Sequence, residues 1–558
     1  MVLGLVLSLL LAAGLLGGPA GGPAWAAAPA NPADPAYQAM FPPPQPRGTV
    51  TVKLHPDQRA LGHLVHVGFG VPFPPGYVRD PNLIALLDST GQEMPLAVTV
   101  LARWPAPIPG AGSIRAALVQ YRDYMSSTVP RQYTIRWGEP RTLSEKAAWR
   151  ATQDWLPVED GSYPASKVHE PPVYAVFDPA WLDQALLKGR FQPLGQNPSF
   201  ALYDQALVAL EPQLNNRDHP QEKKPNPVPY LDQNEPWLYD RAMTFFVAYL
   251  KGGGLLALKD AQKAAQFYAA NLAMNGGFYL DEKHNRPDVK YAYQECLALE
   301  YWLFGDPRMK DASSLVSQVF DTWTPEYTPG RGFWTERHLG LTLLAVTAAY
   351  ELTGEPSDLA KARRVFEAGY NLQTHPPEGA PKNLGAMWHQ GTQHGEGVEV
   401  WVASPWMSAL FVDASLRYYL MTADPRVPQM VWGLADFLVK EGVYRDTWRK
   451  GDSAKVTFPY YLLNLPRPMI LEISKFSDKE HALDTALILA AAIYFGRKGH
   501  KPTAAYEKLY AELMQTANLT FQGLRLSGKH AGVRLKPTRK YNWWFRSTPG
   551  LGWFVANP

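Results

Sequence analysis

The chain of 558 residues contains a single cysteine, Cys296, which excludes an intrachain disulfide and any cysteine-built zinc or iron–sulfur site. Leu297 to Leu303 beside it are largely apolar, so the thiol reads as a packing group rather than a nucleophile. Charge of one sign is also lacking. The formal net charge of +3 gives no basis for binding nucleic acid or an anionic membrane surface. No G-x-S-x-G occurs, and Gly391 to Gly397 is a glycine-rich loop with no preceding strand and no P-loop lysine. What the chain has is 46% hydrophobic and 19% charged residues, which fits a globular protein and excludes wholesale disorder. Aromatic residues reach 12%, enough both to fill a core and to build stacking platforms for flat ligand faces.

Val2 to Leu16 is a largely apolar run too short to span a bilayer comfortably, and Ala24-Trp25-Ala26 matches a signal-peptidase pattern. Residues 1–26 are therefore expected to be a signal peptide, with Ala27 as the new N-terminus, although no Lys or Arg precedes Arg47. Export to a periplasmic or extracellular location follows, with no transmembrane segment after cleavage. Residues 27–47, rich in Pro and Ala, read as a linker.

The expected fold is α+β and multidomain. Over residues 48–145, short alternating runs such as Val50 to Leu54, Leu64 to Val67, Leu96 to Val100, Ala116 to Tyr121 and Tyr133 to Trp137 are separated by Pro/Gly turns. They predict a small β-barrel or sandwich. Residues 146–235 form a proline-rich connecting region, with a short helix expected over Asp178 to Leu187. Over residues 236–519 the period becomes helical and one phrase recurs: an apolar helix, a short polar or glycine turn, then a more charged helix. The pairs are Arg241–Leu250 with Ala257–Leu272, Tyr293–Phe304 with Met309–Phe320, Leu339–Leu352 with Asp358–Leu372, Trp406–Met421 with Val427–Val439, and His481–Phe495 with Thr503–Thr516. Five such hairpins, with a poorly marked sixth, predict a closed α/α toroid whose apolar helices lie inside. Residues 520–558 form a basic, Trp-rich segment expected to be partly β, with Tyr541 to Phe545 docking back onto the ring.

In such a ring the N-terminal ends of the inner helices converge on one face, where free N–H groups and positive dipole ends meet a ligand. The junctions ahead of those helices carry Trp237, Tyr239, Asp240 and Arg241; Tyr291, Tyr293 and Glu295; Trp334, Glu336, Arg337 and His338; and Trp388, His389, His394, Glu396, Trp401 and Trp406. Aromatic platforms mixed with acid, base and cationic groups suit a carbohydrate site. Each residue also has a plainer reading. Asp240, Glu295 and Glu336 could be first-turn acids that complement the dipole, Arg241 and Arg337 could tie loops together, and Trp334 and Trp406 could be core. His389 and His394 have neither helical spacing nor a third ligand, so no metal or other cofactor is expected, and Ca²⁺ has no ligand pattern to support it. After Glu512 there is no acid but seven cations, Arg525, Lys529, Arg534, Lys536, Arg539, Lys540 and Arg546. They could attract an acidic polymer or simply be solvated.

The phrases Val67-Gly68-Phe69-Gly70-Val71-Pro72-Phe73-Pro74, Leu86 to Gly91, Arg103-Trp104 and Gly112-Ser113-Ile114-Arg115 resemble the N-terminal RIFT-barrel domain of exo-rhamnogalacturonan-lyase-like proteins. Tyr239-Asp240-Arg241 and Trp334 to His338 are similar to the α/α toroid that follows it there; Ala116 departs from the aromatic expected after the arginine. The resemblance implies a secreted polysaccharide lyase on a uronate-containing, pectic glycan, an acidic poly- or oligosaccharide being the partner. β-Elimination would use Arg337 or Arg241 to neutralise the uronate, and His389, His394 or Tyr293 as base. Two alternatives stay open: a glycoside hydrolase using Asp240, Glu295, Glu336 or Glu396, and a non-catalytic glycan-binding or envelope protein.

Overall fold

The structure, a computed structural model, describes residues 29–146, 149–214, 231–394, 399–465, 479–524 and 539–557. The expected signal peptide, Glu396, and the cations Arg525, Lys529, Arg534 and Lys536 lie outside these residues.

The chain first forms two antiparallel sheets. β1 (Gly48–Pro56), β2 (Leu64–Pro72), β3 (Ile84–Leu87), β4 (Ala97–Arg103), β5 (Ile114–Tyr124) and β6 (Arg131–Trp137) are joined by a strand at Val173–Phe177. One sheet has the order β3-β6-β1-Val173–Phe177, the other β2-β5-β4. Val50, Val52 and Leu54 of β1 point inward while Thr51 and Lys53 stay outside, the alternation of a half-buried strand. β2 is buried along almost its whole length because its second face lies against the helix Glu295–Phe304. At Gly70 any Cβ would stand 1.8 Å from the Trp302 carbonyl oxygen, so only glycine allows the approach. Arg115 of β5 crosses the same junction. Its guanidinium lies between the rings of Trp104 and Trp302, at 4.3 and 3.8 Å, and 3.5 Å from Glu351.

Ten helices form the repeated pairs: Arg241–Gly252 with Leu255–Ala270, Glu295–Phe304 with Arg308–Asp321, Glu336–Thr353 with Pro356–Thr374, Pro405–Thr422 with Arg426–Lys440, and Ala482–Lys498 with Ala504–Gly523. The first helix of each pair is almost wholly buried, its partner only on one side. Four of the first helices end on a left-handed residue, Gly253, Gly305, Gly354 or Ala423, which stops the helix and turns the chain. Each buried helix packs against the next. The helix Lys540–Phe545 touches both the last of them and the first.

The described part of the C-terminal segment is helical, Lys540–Phe545 and Leu551–Ala556, which corrects the expectation of a β-rich end. Its aromatics favour strands by composition, but Tyr541, Trp544 and Phe545 are buried at helical spacing, and burial decides. The connecting region holds not only the short helix Pro179–Gln184 but also Ala201–Leu214 and the sheet strand Val173–Phe177. A hairpin, Val443–Thr447 with Lys455–Pro459, precedes the fifth pair. Among the described residues, no helix is long and apolar enough to cross a membrane.

Candidate functional site

Residues from widely separated loops meet at the N-terminal ends of the buried helices. Trp406, in the first turn of Pro405–Thr422, stacks on His481 at 4.2 Å, and His481 stacks in turn on Trp543 at 5.1 Å. Tyr461 lies 5.3 Å from Trp406 and 6.3 Å from His394. Tyr239 stands edge-on to Trp543 at 5.7 Å and to Trp406 at 6.4 Å, and Arg337 donates to its hydroxyl at 3.3 Å. The Arg337 guanidinium also sits 5.9 Å from the Trp406 ring centroid, and its buried Nε has no acceptor among the described residues. One contiguous floor of touching rings thus carries indole, phenol, imidazole and guanidinium groups, with Arg337, His394, Tyr461 and Trp543 partly exposed and Tyr239, Trp406 and His481 buried. Its base is anchored by His481, whose Nδ1 is 3.0 Å from Asp484.

Local backbone geometry sets this up. Tyr239 and Asp240 are consecutive non-glycine residues with positive φ, 72° and 58°, an uncommon and strained arrangement that persists only when its surroundings hold it. Asp240 holds it by accepting from the Met243 N–H at 2.9 Å as the helix cap. Burial pushes its carboxyl up to about 7, and nearby Glu295 adds to that, against the Met243 bond.

Several expected site residues are directed elsewhere. Tyr293 is buried, and its hydroxyl donates to the Trp237 carbonyl at 2.7 Å, so it is a core phenol rather than a base facing the cleft. Trp237 stacks on Phe267, Trp334 donates to the Pro325 carbonyl, and Trp388 packs edge-on to Phe437; all three are core. Arg241 is buried over the rings of Trp237 and Phe245. Tyr291 is buried edge-on to His284. Trp401 is half-buried against Tyr327 and lines a separate cleft with Glu399 and Glu441.

The carboxylates also have partners. Glu295 meets Lys188 at 2.8 Å, Arg417 at 2.6 Å and Arg546 at 3.1 Å, and these cations outweigh its burial to hold its carboxyl at about 2. Glu336 is sealed from solvent; one oxygen accepts from the Ser404 N–H at 3.1 Å and the other lies 3.2 Å from Nδ1 of the equally sealed His389. His389 therefore lies beneath the floor, its ring 6.0 Å from that of His394, which is partly exposed. His338 is buried with Nδ1 2.7 Å from the Thr335 hydroxyl; burial, helped by Arg337 and Lys290, pushes its pKa well down, leaving it neutral near pH 7. Cys296 is fully buried.

Of the expected residues, Tyr239, Arg337, His394 and Trp406 come together in one cluster, Arg337 and His394 partly exposed and Tyr239 and Trp406 buried. Tyr461, His481 and Trp543 join them without having been singled out. His481 opens the fifth expected apolar helix and Trp543 lies in the stretch Tyr541 to Phe545 expected to dock onto the ring, whereas Tyr461 follows no pattern in the sequence. No group of three or more metal-ligating side chains occurs among the described residues. Three described C-terminal cations are ion-paired, Arg539 with Glu235, Lys540 with Glu480, and Arg546 with Glu295 and Asp413, so they form no free basic patch.

No family model matches the chain, and no curated protein matches it. A solved structure described as a polysaccharide lyase is similar to it at 12% identity, covering 65% of this chain and 99% of that one, with a TM-score of 0.40. That overlap is too loose to bear on the chemistry, which rests on the residues above.

Proposed function

We propose that the chain is an exported polysaccharide lyase that cleaves a uronate-containing, pectic-type glycan by β-elimination, on an α/α toroid preceded by a RIFT-like barrel. One observation carries the reading. Arg337, His394, Tyr461 and Trp543 are partly exposed in one cluster backed by the buried rings of Tyr239 and Trp406, whereas the three described junction acids, Asp240, Glu295 and Glu336, are buried as a cap, a triple ion-pair partner and a partner of His389. Hydrolysis needs two carboxyl groups facing the scissile bond; elimination needs a cation, a base and an acid.

In the proposed step the uronate carboxylate lies on Arg337, whose remaining N–H groups neutralise it and so acidify the adjacent C5–H. His394 takes that proton, the C–H electron pair becomes the C4=C5 double bond, and the C4–O bond breaks. The Tyr461 hydroxyl gives its proton to the departing oxygen and is reprotonated from solvent. Trp543, the partly exposed indole of the cluster, supports a sugar face.

The test is ultraviolet absorbance from the new double bond on a panel of uronate polymers. Replacing His394 with Ala is expected to lower kcat by at least about a hundredfold, and Arg337→Lys, which loses the planar fork, to raise KM and lower kcat together. New reducing ends without absorbance would replace this reading with hydrolysis. Glycan binding with no product under any condition would replace it with the non-catalytic alternative.

A further inference from the structure

Beside the aromatic floor, the loop Asp281 to Lys290 and the start of the helix Glu336–Thr353 enclose a second cleft of about 400 Å³, with Lys283, Arg286, Trp323, Phe333 and His338 on its walls. Of the loop's acids, Asp281 and Asp288 are engaged, Asp288 on the cleft wall itself, while the exposed Glu282 does not line the cleft. Asp281 accepts from the Asn234 N–H at 3.0 Å and lies 2.6 Å from His284 Nδ1, and Asp288 faces Lys290 at 3.2 Å. The exposed side chains of Lys283 and Arg286 meet no carboxylate among the described residues. Phe333 is 47% exposed, unusual for so large an apolar ring. It stands edge-on to His338 at 4.8 Å, nearly parallel to His394 at 6.4 Å, and under Lys290 Nζ at 5.5 Å. The ring is thus the wall shared by this cleft and the floor that carries His394. Trp323 lies nearly parallel to His338 at 6.3 Å and closes the far side. His338, neutral near pH 7, adds a polar group without charge.

We propose that this cleft is a subsite for a neighbouring acidic sugar of the same polymer, its carboxylate on Arg286 and Lys283 and one ring face on Phe333. It rests on the uronate reading above and extends it: the substrate must present two acidic units, one at Arg337 and one here. The guanidinium offers a planar fork that matches a carboxylate, and Lys283 adds a second charge. Exposed ion pairs are individually weak, so each cation is expected to account for only a two- to fivefold change in affinity, about tenfold together. The ring face adds a comparable factor.

The experiment is calorimetry and initial-rate kinetics on the full chain with oligogalacturonates of increasing length and with their methyl esters. The wild type is expected to bind longer acidic oligomers more tightly than short ones, less tightly as salt rises, and to bind the esters weakly. The K283A/R286A double variant, changed only at exposed positions and checked for an unaltered melting temperature, should lose about tenfold in affinity for the long acid oligomers and nothing for the esters. Phe333→Ala should weaken both. Wild-type affinity in the double variant overturns the subsite, as does failure of the wild type to bind any acidic oligomer. Binding that responds to the double variant, without absorbance from elimination, upholds the subsite and removes the lyase reading. Elimination with an unchanged KM for long oligomers in the double variant does the reverse.

Discussion

Asp240 shows how one side chain links backbone, charge and site. It caps the helix Arg241–Gly252 from a left-handed conformation next to Tyr239, whose ring belongs to the floor. Its carboxyl is raised to about 7, mainly by burial, so the folded chain binds a proton there that an unfolded chain has released above about 4. That contribution to stability is full below about pH 4 and is lost as pH rises to 7. Asp240→Asn keeps an acceptor for the Met243 N–H but removes the titration. Measured by denaturant unfolding, the variant should gain on the wild type between pH 4 and 7, by up to about 1.4 kcal/mol per pH unit. A constant difference across that range would show that the carboxyl stays ionised. The sequence marks Asp240 as a helix-start acid, and it is one. It does not mark Tyr239 and Asp240 as left-handed, since neither residue type demands that conformation, nor does it show that Glu336 and His389 close on each other out of solvent.

At the scale of elements, the inner helices were legible because they are apolar all round. A helix buried on every side needs no amphipathic stripe, and Pro405–Thr422 is buried at every position. Their ends were legible from Gly-Asp-Pro and Gly-Glu-Pro turns, where a left-handed glycine stops one helix and proline starts the next. Close approaches between elements were not. Gly340 lets the third inner helix lie directly on the fourth, where a Cβ would meet the Leu410 carbonyl carbon at 2.7 Å, and Gly70 does the same between β2 and Trp302. Gly70→Ala must push the sheet from the helix. It is expected to cost about 1–3 kcal/mol and to lower the melting temperature by several degrees. An unchanged melting temperature would mean that this contact is loose.

Across the whole molecule, a buried charge network ties together segments far apart in the chain. Lys188 from the connecting region, Arg417 from the fourth inner helix and Arg546 from the C-terminal segment converge on Glu295, while Arg417 and Arg115 share Glu351. Glu295→Gln leaves three buried cations short of a counter-charge. The expected loss is about 3–5 kcal/mol in unfolding free energy, far more than a surface pair would show. A loss below about 1 kcal/mol would mean that water or another acid already balances these cations. The same residue reads in the sequence as a helix-start acid free for substrate; only its three partners, none adjacent in sequence, reveal its role.

Local periodicity and turn chemistry by themselves determined most of the first strands, the five helix pairs and which helix of each pair is the more buried, because these depend on neighbours within a few residues; they missed the strand Val173–Phe177, the helix Ala201–Leu214 and the helical C-terminal segment. Tertiary structure alone decided which junction side chains share the floor. A helix turns about 100° per residue, so one step moves a side chain from a cleft into a core. Tyr239 and Tyr293 occupy equivalent junctions and both are buried, yet one hydroxyl accepts from the partly exposed Arg337 and the other donates to the buried Trp237 carbonyl. Trp543, from the far end of the chain, reaches the floor only because the C-terminal helix packs between the first and last inner helices.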